Sequence, residues 1–189
     1  MLTVGHSTLP IETFLGMLQK NGVGLLIDIR TVPRSRHNPQ FEQGALSHAL
    51  AAGSIEYRWQ SSLGGLRKPK KGSLLNLGWK NESFRGYADY MQTSEFAAAI
   101  DELLRHGLEK QSVIMCAEAV PWRCHRSLVA DALTAREIPV EHILYDKHGS
   151  SKRQPHRLTG FAKVSGTRIW YPAEPGLFPA PAPPDSNRG

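Results

Sequence analysis

Ser112-Val-Ile-Met-Cys-Ala-Glu-Ala-Val-Pro-Trp-Arg-Cys-His-Arg-Ser-Leu-Val-Ala-Asp-Ala-Leu133 reads as a buried strand, a polar loop and the start of a helix. The run 112–116 is apolar enough to be covered on both faces, and 127–133 has the apolar content of a helix packed on it. Between them stand one carboxylate (Glu118), two thiols (Cys116, Cys124), an imidazole (His125), two guanidiniums (Arg123, Arg126) and an indole (Trp122). A loop that only joins two elements does not need such chemistry. Open α/β sheets bind ligands at the carboxyl ends of their strands, so this segment is the first candidate for an active site.

The same alternation extends in both directions. Leu2–Val4 is a short strand, and Ile11, Phe14, Leu15 and Leu18 recur at helical spacing behind Pro10. Asn21-Gly22 ends that helix. Val23-Gly-Leu-Leu-Ile-Asp-Ile29 is a second fully buried strand, followed by a polar loop over 30–40 and a short helix over 45–52. Ile55–Trp59 is the third strand. A long loop over 60–80 leads to helices over 83–92 and 94–106, the second capped by Thr93. After strand 112–116 come a helix over 124–136 and a last parallel strand, Val140–Leu144. A further helix is expected over His156–Val164 and an edge strand over Thr167–Tyr171. Residues 172–189 hold six prolines and no apolar period, which predicts a disordered tail after a single domain over 1–171. Strands alternating with helices predict an α/β fold, a mostly parallel sheet with helices on both faces in a Rossmann- or flavodoxin-like three-layer arrangement.

Such crossovers bring the loops at 5–9, 28–41, 60–80 and 116–123 to one edge of the sheet, and these are the chemically rich loops. At the end of strand one, His6 has an imidazole suited to acid–base work, Gly5 allows close approach of a ligand and Ser7 adds a hydroxyl. A structural histidine in a turn explains the motif equally simply. Asp28 closes an apolar strand and must be paired or functional. It either serves the site or locks against Arg30 on the same strand face. Arg30, Arg34 and Arg36 offer forked donors for phosphate oxygens, although exposed basic loops also serve solubility.

Arg58, Arg67, Lys68, Lys70 and Lys71 fall in a segment without acids, and Gly64-Gly65 can present backbone N–H groups to an anion. Trp59, Phe84, Tyr87, Tyr90 and Trp122 offer surfaces on which bases stack, or simply fill the core. Arg85 and Asp89, four apart on a helix, are placed to pair, leaving Arg85 to reach the loop edge only if it does not. Glu118 holds the position expected of a general base or nucleophile. His125 and Arg126 lie at a helix N-terminus that favours anions, where the dipole also lowers the pKa of Cys124. The spacing from Cys116 is neither the Cys-x5-Arg loop of tyrosine phosphatases nor the compact loop of a sulfurtransferase. Cys116, Cys124 and His125 are a minor zinc alternative that lacks the paired Cys-x2-Cys signature.

Thr3-Val-Gly-His-Ser7, Asp28-Ile-Arg30 with Pro33-Arg-Ser-Arg36, Leu63-Gly-Gly65, Phe84-Arg-Gly-Tyr-Ala-Asp-Tyr-Met91 and Cys116–Arg126 occur in order over residues 2–171. This set resembles the uncharacterised bacterial and archaeal "domain of unknown function 488" family, with Asp28-Ile-Arg30 in place of the more usual Asp-Val-Arg. The resemblance implies an α/β domain and brings no settled chemistry.

A net charge of +6 and a pI near 9.5 favour an anionic partner, nucleic acid (DNA foremost) or a nucleotide. Two cysteines make no disulfide framework, Met1–His6 has no signal-peptide pattern, and no apolar run is long enough for a membrane span. A cytoplasmic protein without a cofactor is expected, and the sequence sets no oligomeric state. The leading expectation is hydrolysis of an N-glycosidic bond, as in a DNA glycosylase for a modified base. In it Glu118 or Asp28 activates water or steadies the sugar cation, and His6 or His125 protonates the departing base. Ser7, Arg30, Arg34, Arg36, Gly64, Gly65, Arg85, Tyr87, Trp122, Arg123 and Arg126 would hold the substrate. Hydrolysis or transfer on a small nucleotide or phosphate ester is the alternative enzyme, and a non-catalytic module recognising nucleic acid or a modified nucleotide is the alternative outside catalysis.

Overall fold

The computed structural model describes residues 1–107, 109–146 and 150–173. Strands β1 (Leu2–Gly5), β2 (Leu25–Asp28), β3 (Glu56–Trp59), β4 (Ser112–Cys116) and β5 (Glu141–Tyr145) run parallel, and β6 (Ser151–Pro155) pairs antiparallel with β5. The order across the sheet is β3-β2-β4-β1-β5-β6. Helices α1 (Ile11–Lys20), α2 (Gln43–Ala52), α3 (Glu82–Tyr90), α4 (Ser94–Gly107) and α5 (Arg126–Thr134) complete the expected three-layer α/β domain.

The side-chain alternation of the strands divides the core in two. Leu26, Val113 and Met115 face one cluster with Phe14 and Leu18 of α1 and Leu46 and Leu50 of α2. Leu25, Ile27 and Ile114 face the other, with Tyr87 of α3, Ile100 and Leu103 of α4, and Leu128 and Leu133 of α5. A period of two in the strands against 3.6 in the helices therefore produces the layering. Local signals act where expected: Gly22, at φ +68°, turns the chain after α1, and Thr93 Oγ1 accepts the Phe96 N–H at 3.2 Å as the cap of α4.

The C-terminal part departs from expectation. No helix forms over His156–Val164. The chain instead makes β6, then a separate hairpin of β7 (Lys163–Ser165) and β8 (Arg168–Trp170). Thr167–Tyr171 thus contributes to this hairpin, while β6 takes the edge of the main sheet. Long-range hydrogen bonds override local propensity here. Asp131 of α5 is fully buried and accepts from the Thr159 N–H and Oγ1, from Tyr171 Oη at 2.8 Å and from His156 Nε2 at 2.8 Å. His156 Nδ1 lies 2.9 Å from His142 Nε2, and His142 Nδ1 lies 2.8 Å from Thr3 Oγ1 in β1. The expected tail lies, beyond residue 173, outside the described residues.

Four buried bonds converging on one carboxylate make Asp131 the clasp of this segment. Replacing it with Ala strands at least three donors, each costing about 1–3 kcal/mol when buried without a partner. Asp131→Ala is expected to lose about 3 kcal/mol or more in urea unfolding. A loss below about 1 kcal/mol would show that the clasp is not structural.

Candidate functional site

The loops after β1, β2, β3 and β4 meet at the carboxyl edge of the sheet, as the topology requires. They enclose a cleft of about 600 Å³ with the start of α3 and the turn before α5. That volume suits a ligand of nucleotide size. His6, Ser7, Arg30, Arg34, Gly65, Cys116, Glu118, Arg123, Cys124 and His125 of the expected site line it. Thr31, Asn38, Ser83 and Leu66 also line it and carried no signal in the sequence, being ordinary loop residues whose place only the fold determines.

The Asp28–Arg30 alternatives resolve to a lock. Asp28 is fully buried, its carboxylate receives Arg30 Nε at 2.9 Å and Nη2 at 2.5 Å, and Tyr57 Oη donates to it at 2.9 Å. Asp28 does not line the cleft, so it acts by aiming Arg30. A fork-to-fork contact fixes the guanidinium plane, and burial makes the pairing obligatory. Arg30 Nη1 then meets His6 Nε2 at 3.3 Å, leaving two of its five N–H groups uncommitted.

His6 stacks on Phe41 at 4.1 Å and donates Nδ1–H to the Ser7 carbonyl at 2.8 Å. Its Nε2 is thus the acceptor facing Arg30. Burial, with Arg30 adding to it, pushes this imidazole down to about 4. Ser7 sits in the left-handed backbone region at φ +46° and anchors to the loop after β4, donating its N–H to the Ala117 carbonyl.

The segment after β4 is organised around Arg126, which is 1% exposed. Its Nη1 donates to Cys116 Sγ at 3.2 Å and to the Glu118 carbonyl at 3.1 Å, and Nη2 donates to the Ala119 carbonyl at 3.2 Å. Its Nε has no hydrogen-bond partner among the described residues. A Cβ at Gly5 would collide with the Glu118 carbonyl and this guanidinium, so only glycine lets β1 approach the loop. Cys116 Sγ and Cys124 Sγ are 2.6 Å apart. Burial pushes the Cys116 thiol up, but the hydrogen bond from Cys124 and the Arg126 charge outweigh it and bring it below the usual range. The Cys124 thiol moves up instead, because it donates to Cys116 and is buried. The lowered thiol of the pair is therefore Cys116 and not the Cys124 that the helix dipole favours.

His125 donates Nε2–H to the Ile29 carbonyl at 3.2 Å, and its Nδ1 lies 3.5 Å from Cys124 Sγ. Burial brings it down to about 4. Both cleft imidazoles are neutral near pH 7, so neither is poised to protonate a departing base. Glu118 is exposed on the cleft wall. Its carboxylate accepts the Val120 N–H at 3.1 Å and, among the described residues, has no cation within ion-pair distance.

Other expected contacts lie elsewhere. Tyr87 is a core residue whose hydroxyl donates to the Leu63 carbonyl. Arg85 pairs with Glu82 and not with Asp89, which instead binds the Lys70 N–H, Ser73 and Asn76, and Arg85 does not reach the cleft. Trp122 is exposed and faces a separate groove beside Trp79 and His156. Arg36 is exposed outside the cleft, Arg126 lies beneath it, and Gly64 is packed against Thr31. Arg67 stacks on Tyr90 and binds the Gly64 and Ser62 carbonyls, so it braces the 60–80 loop. Among the described residues no group of three or more His, Cys, Asp or Glu is arranged to hold a metal ion.

The family model described as "Domain of unknown function DUF488" matches residues 10–133, more than half of the chain. The chain belongs to this family. The match spans the Asp28–Arg30 lock, Glu118 and both cysteines, while His6, Ser7 and the His142–His156 chain fall outside it. No curated protein and no solved structure matches. No helix among the described residues is long and apolar enough to cross a membrane.

The neutral imidazoles have a consequence for stability. His6, His125 and His142 are each pushed down to about 4 by burial, whereas an unfolded histidine titrates near 6.5. The unfolded chain therefore takes up protons first as pH falls. The stabilisation is complete above pH 6.5 and is lost progressively towards pH 4. Urea unfolding at pH 7.5 and pH 4.5 is expected to differ by on the order of 2 kcal/mol for each of His6 and His125. A double variant, His6→Asn with His125→Asn, should have a visibly shallower slope, and an unchanged slope would refute the assignment.

Proposed function

We propose that this family member hydrolyses an N-glycosidic bond in nucleic acid, acting as a DNA glycosylase on a modified base. The observation that carries the reading is Glu118: a carboxylate with no cation in ion-pair distance among the described residues, on the wall of a nucleotide-sized cleft that also holds Arg30, Arg34 and Arg123. Leaving a sugar as an oxocarbenium-like cation requires a nearby negative charge, and hydrolysis requires a group that accepts a proton from water. Glu118 serves both needs. Arg34 and Arg123, both exposed, suit flanking phosphates, and the two free N–H groups of Arg30 suit the departing base or a phosphate oxygen. Phe84 and Leu66 supply an apolar wall for an extruded base. The proton on the departing base comes from solvent, since His6 and His125 are neutral.

A second reading, hydrolysis or transfer on a small nucleotide or phosphate ester, is favoured by one observation. Lys68, Lys70 and Lys71 are exposed but do not line the cleft, so no continuous track of charge from the cleft is required. Filter binding separates the two, because duplex affinity falls steeply with salt when several phosphates are neutralised.

Duplexes and single strands carrying normal and 5-modified pyrimidines are expected to yield abasic sites with the wild-type protein. Glu118→Gln should lower the rate by about 10²–10⁴-fold while binding is kept. Absence of base release across the panel removes the glycosylase reading, and unchanged release by Glu118→Gln removes Glu118 from it. Retained binding with no turnover by either protein points to a recognition module.

A further inference from the structure

We propose that Cys116 and Cys124 form a reversible dithiol–disulfide couple on the floor of the cleft, oxidised by a small hydroperoxide. The inference stands apart from the glycosylase reading and rests on a charge that otherwise has no counterpart. Arg126 is 1% exposed, and among the described residues no carboxylate lies within ion-pair distance of it. Its acceptors are two backbone carbonyls and Cys116 Sγ, and its Nε is unpartnered. A buried guanidinium is best matched by an anion close by, and among the described residues Cys116, as its thiolate, is the ionisable group in hydrogen-bond contact that supplies one. The thiolate is the reactive form of cysteine, so the requirement for charge balance also creates a nucleophile.

The second thiol is already in contact. Cys124 Sγ lies 2.6 Å from Cys116 Sγ, and both side chains line the cleft, which admits a molecule the size of hydrogen peroxide. In the first step the Cys116 thiolate attacks one peroxide oxygen. The O–O bond breaks, an S–O bond forms, and hydroxide leaves and is protonated by solvent. Sulfur is oxidised by two electrons to the sulfenic acid, and the peroxide is reduced. In the second step Cys124 sulfur attacks Cys116 sulfur. The S–S bond forms, the S–O bond breaks, and the departing hydroxide combines with the Cys124 proton as water. Two thiols and one hydroperoxide thus become a disulfide, water and water or an alcohol, and an external dithiol reverses the change by exchange.

The chemistry reaches beyond the sulfurs. The bridge would span residues 117–123, stapling the loop that carries Glu118 and Arg123, and would remove the negative charge beside Arg126.

The reduced full-length protein, treated with one equivalent of hydrogen peroxide at pH 7, is expected to lose both thiols in a denatured thiol count. It should remain a monomeric chain lighter by two hydrogens. Trypsin cuts between the cysteines at Arg123, so the Cys116 and Cys124 peptides should be recovered joined, and separated again by dithiothreitol. The reaction should run roughly tenfold or more faster than that of glutathione, since an ordinary cysteine is only a few per cent thiolate at this pH. Cys124→Ser should stop at a sulfenic acid on Cys116 that dimedone traps, whereas Cys116→Ser should give no adduct on Cys124. Survival of both thiols, direct overoxidation to sulfinic acid, or bridges only between chains would overturn the proposal. So would a dimedone adduct on Cys124 in Cys116→Ser equal to that on Cys116 in Cys124→Ser. If either variant fails to fold, the wild-type thiol count and peptide map decide alone.

Discussion

One buried cation organises the functional edge of this protein. Arg126 leaves the first turn of α5 and runs under the loop after β4, where its guanidinium holds the Glu118 and Ala119 carbonyls and the Cys116 sulfur. The loop therefore folds back towards β1 and does not project into solvent. Gly5 is the place where that fold-back meets the sheet, and any side chain there would occupy the space of the Glu118 carbonyl. The Glu118 side chain is left exposed on the cleft wall because its backbone is tied down below it. Placing a charge in a low-dielectric interior is expensive, and the expense is offset here by two backbone carbonyls and an adjacent sulfur.

The same logic recurs at two other points on the sheet. At the end of β2, Asp28 and Arg30 bury each other, and Tyr57 and His6 complete their coordination. The lock keeps a cation at the cleft with most of its side chain immobilised, which lowers the entropic cost of meeting an anion. On the far side, Asp131 gathers Thr159, Tyr171 and His156, and the histidine chain continues to Thr3 in β1. That arrangement binds the C-terminal hairpin to the core without entering the cleft. Buried polar groups thus have two separate uses: aiming side chains at the carboxyl edge, and fastening the segment from His156 to Tyr171 to the α5 face.

Much of this was legible in the residues themselves. The apolar runs at 23–29 and 112–116 and the helical spacing in 11–18 and 96–104 reflect burial, which leaves a period in the sequence. Gly22 and Thr93 mark ends because their backbone and side-chain preferences act locally. The polarity of the loops at 5–9, 28–41 and 116–123 marked the functional edge. Parallel crossovers place those loops together whatever their side chains do. The helix expected over His156–Val164 does not form because the conformation there is dictated by Asp131, a partner some 25 to 28 residues away. Tyr87 packs in the core and Arg85 pairs with Glu82, which local sequence leaves open because a stripe of aromatics and arginines on a helix does not declare which residue faces the core.

Local periodicity and the order of motifs suffice for the layering of helices on a parallel sheet, the edge at which chemistry gathers, and the family. The roles within that edge come from long-range contacts. Asp28 supports Arg30, Cys116 and not Cys124 is the thiol brought down, and two histidines are neutral hydrogen-bonding groups. Ionisation and orientation depend on which groups lie within a few ångströms after burial, and residues as far apart in the chain as His6 and Arg30, or Gly65 and His125, meet only when the sheet has formed.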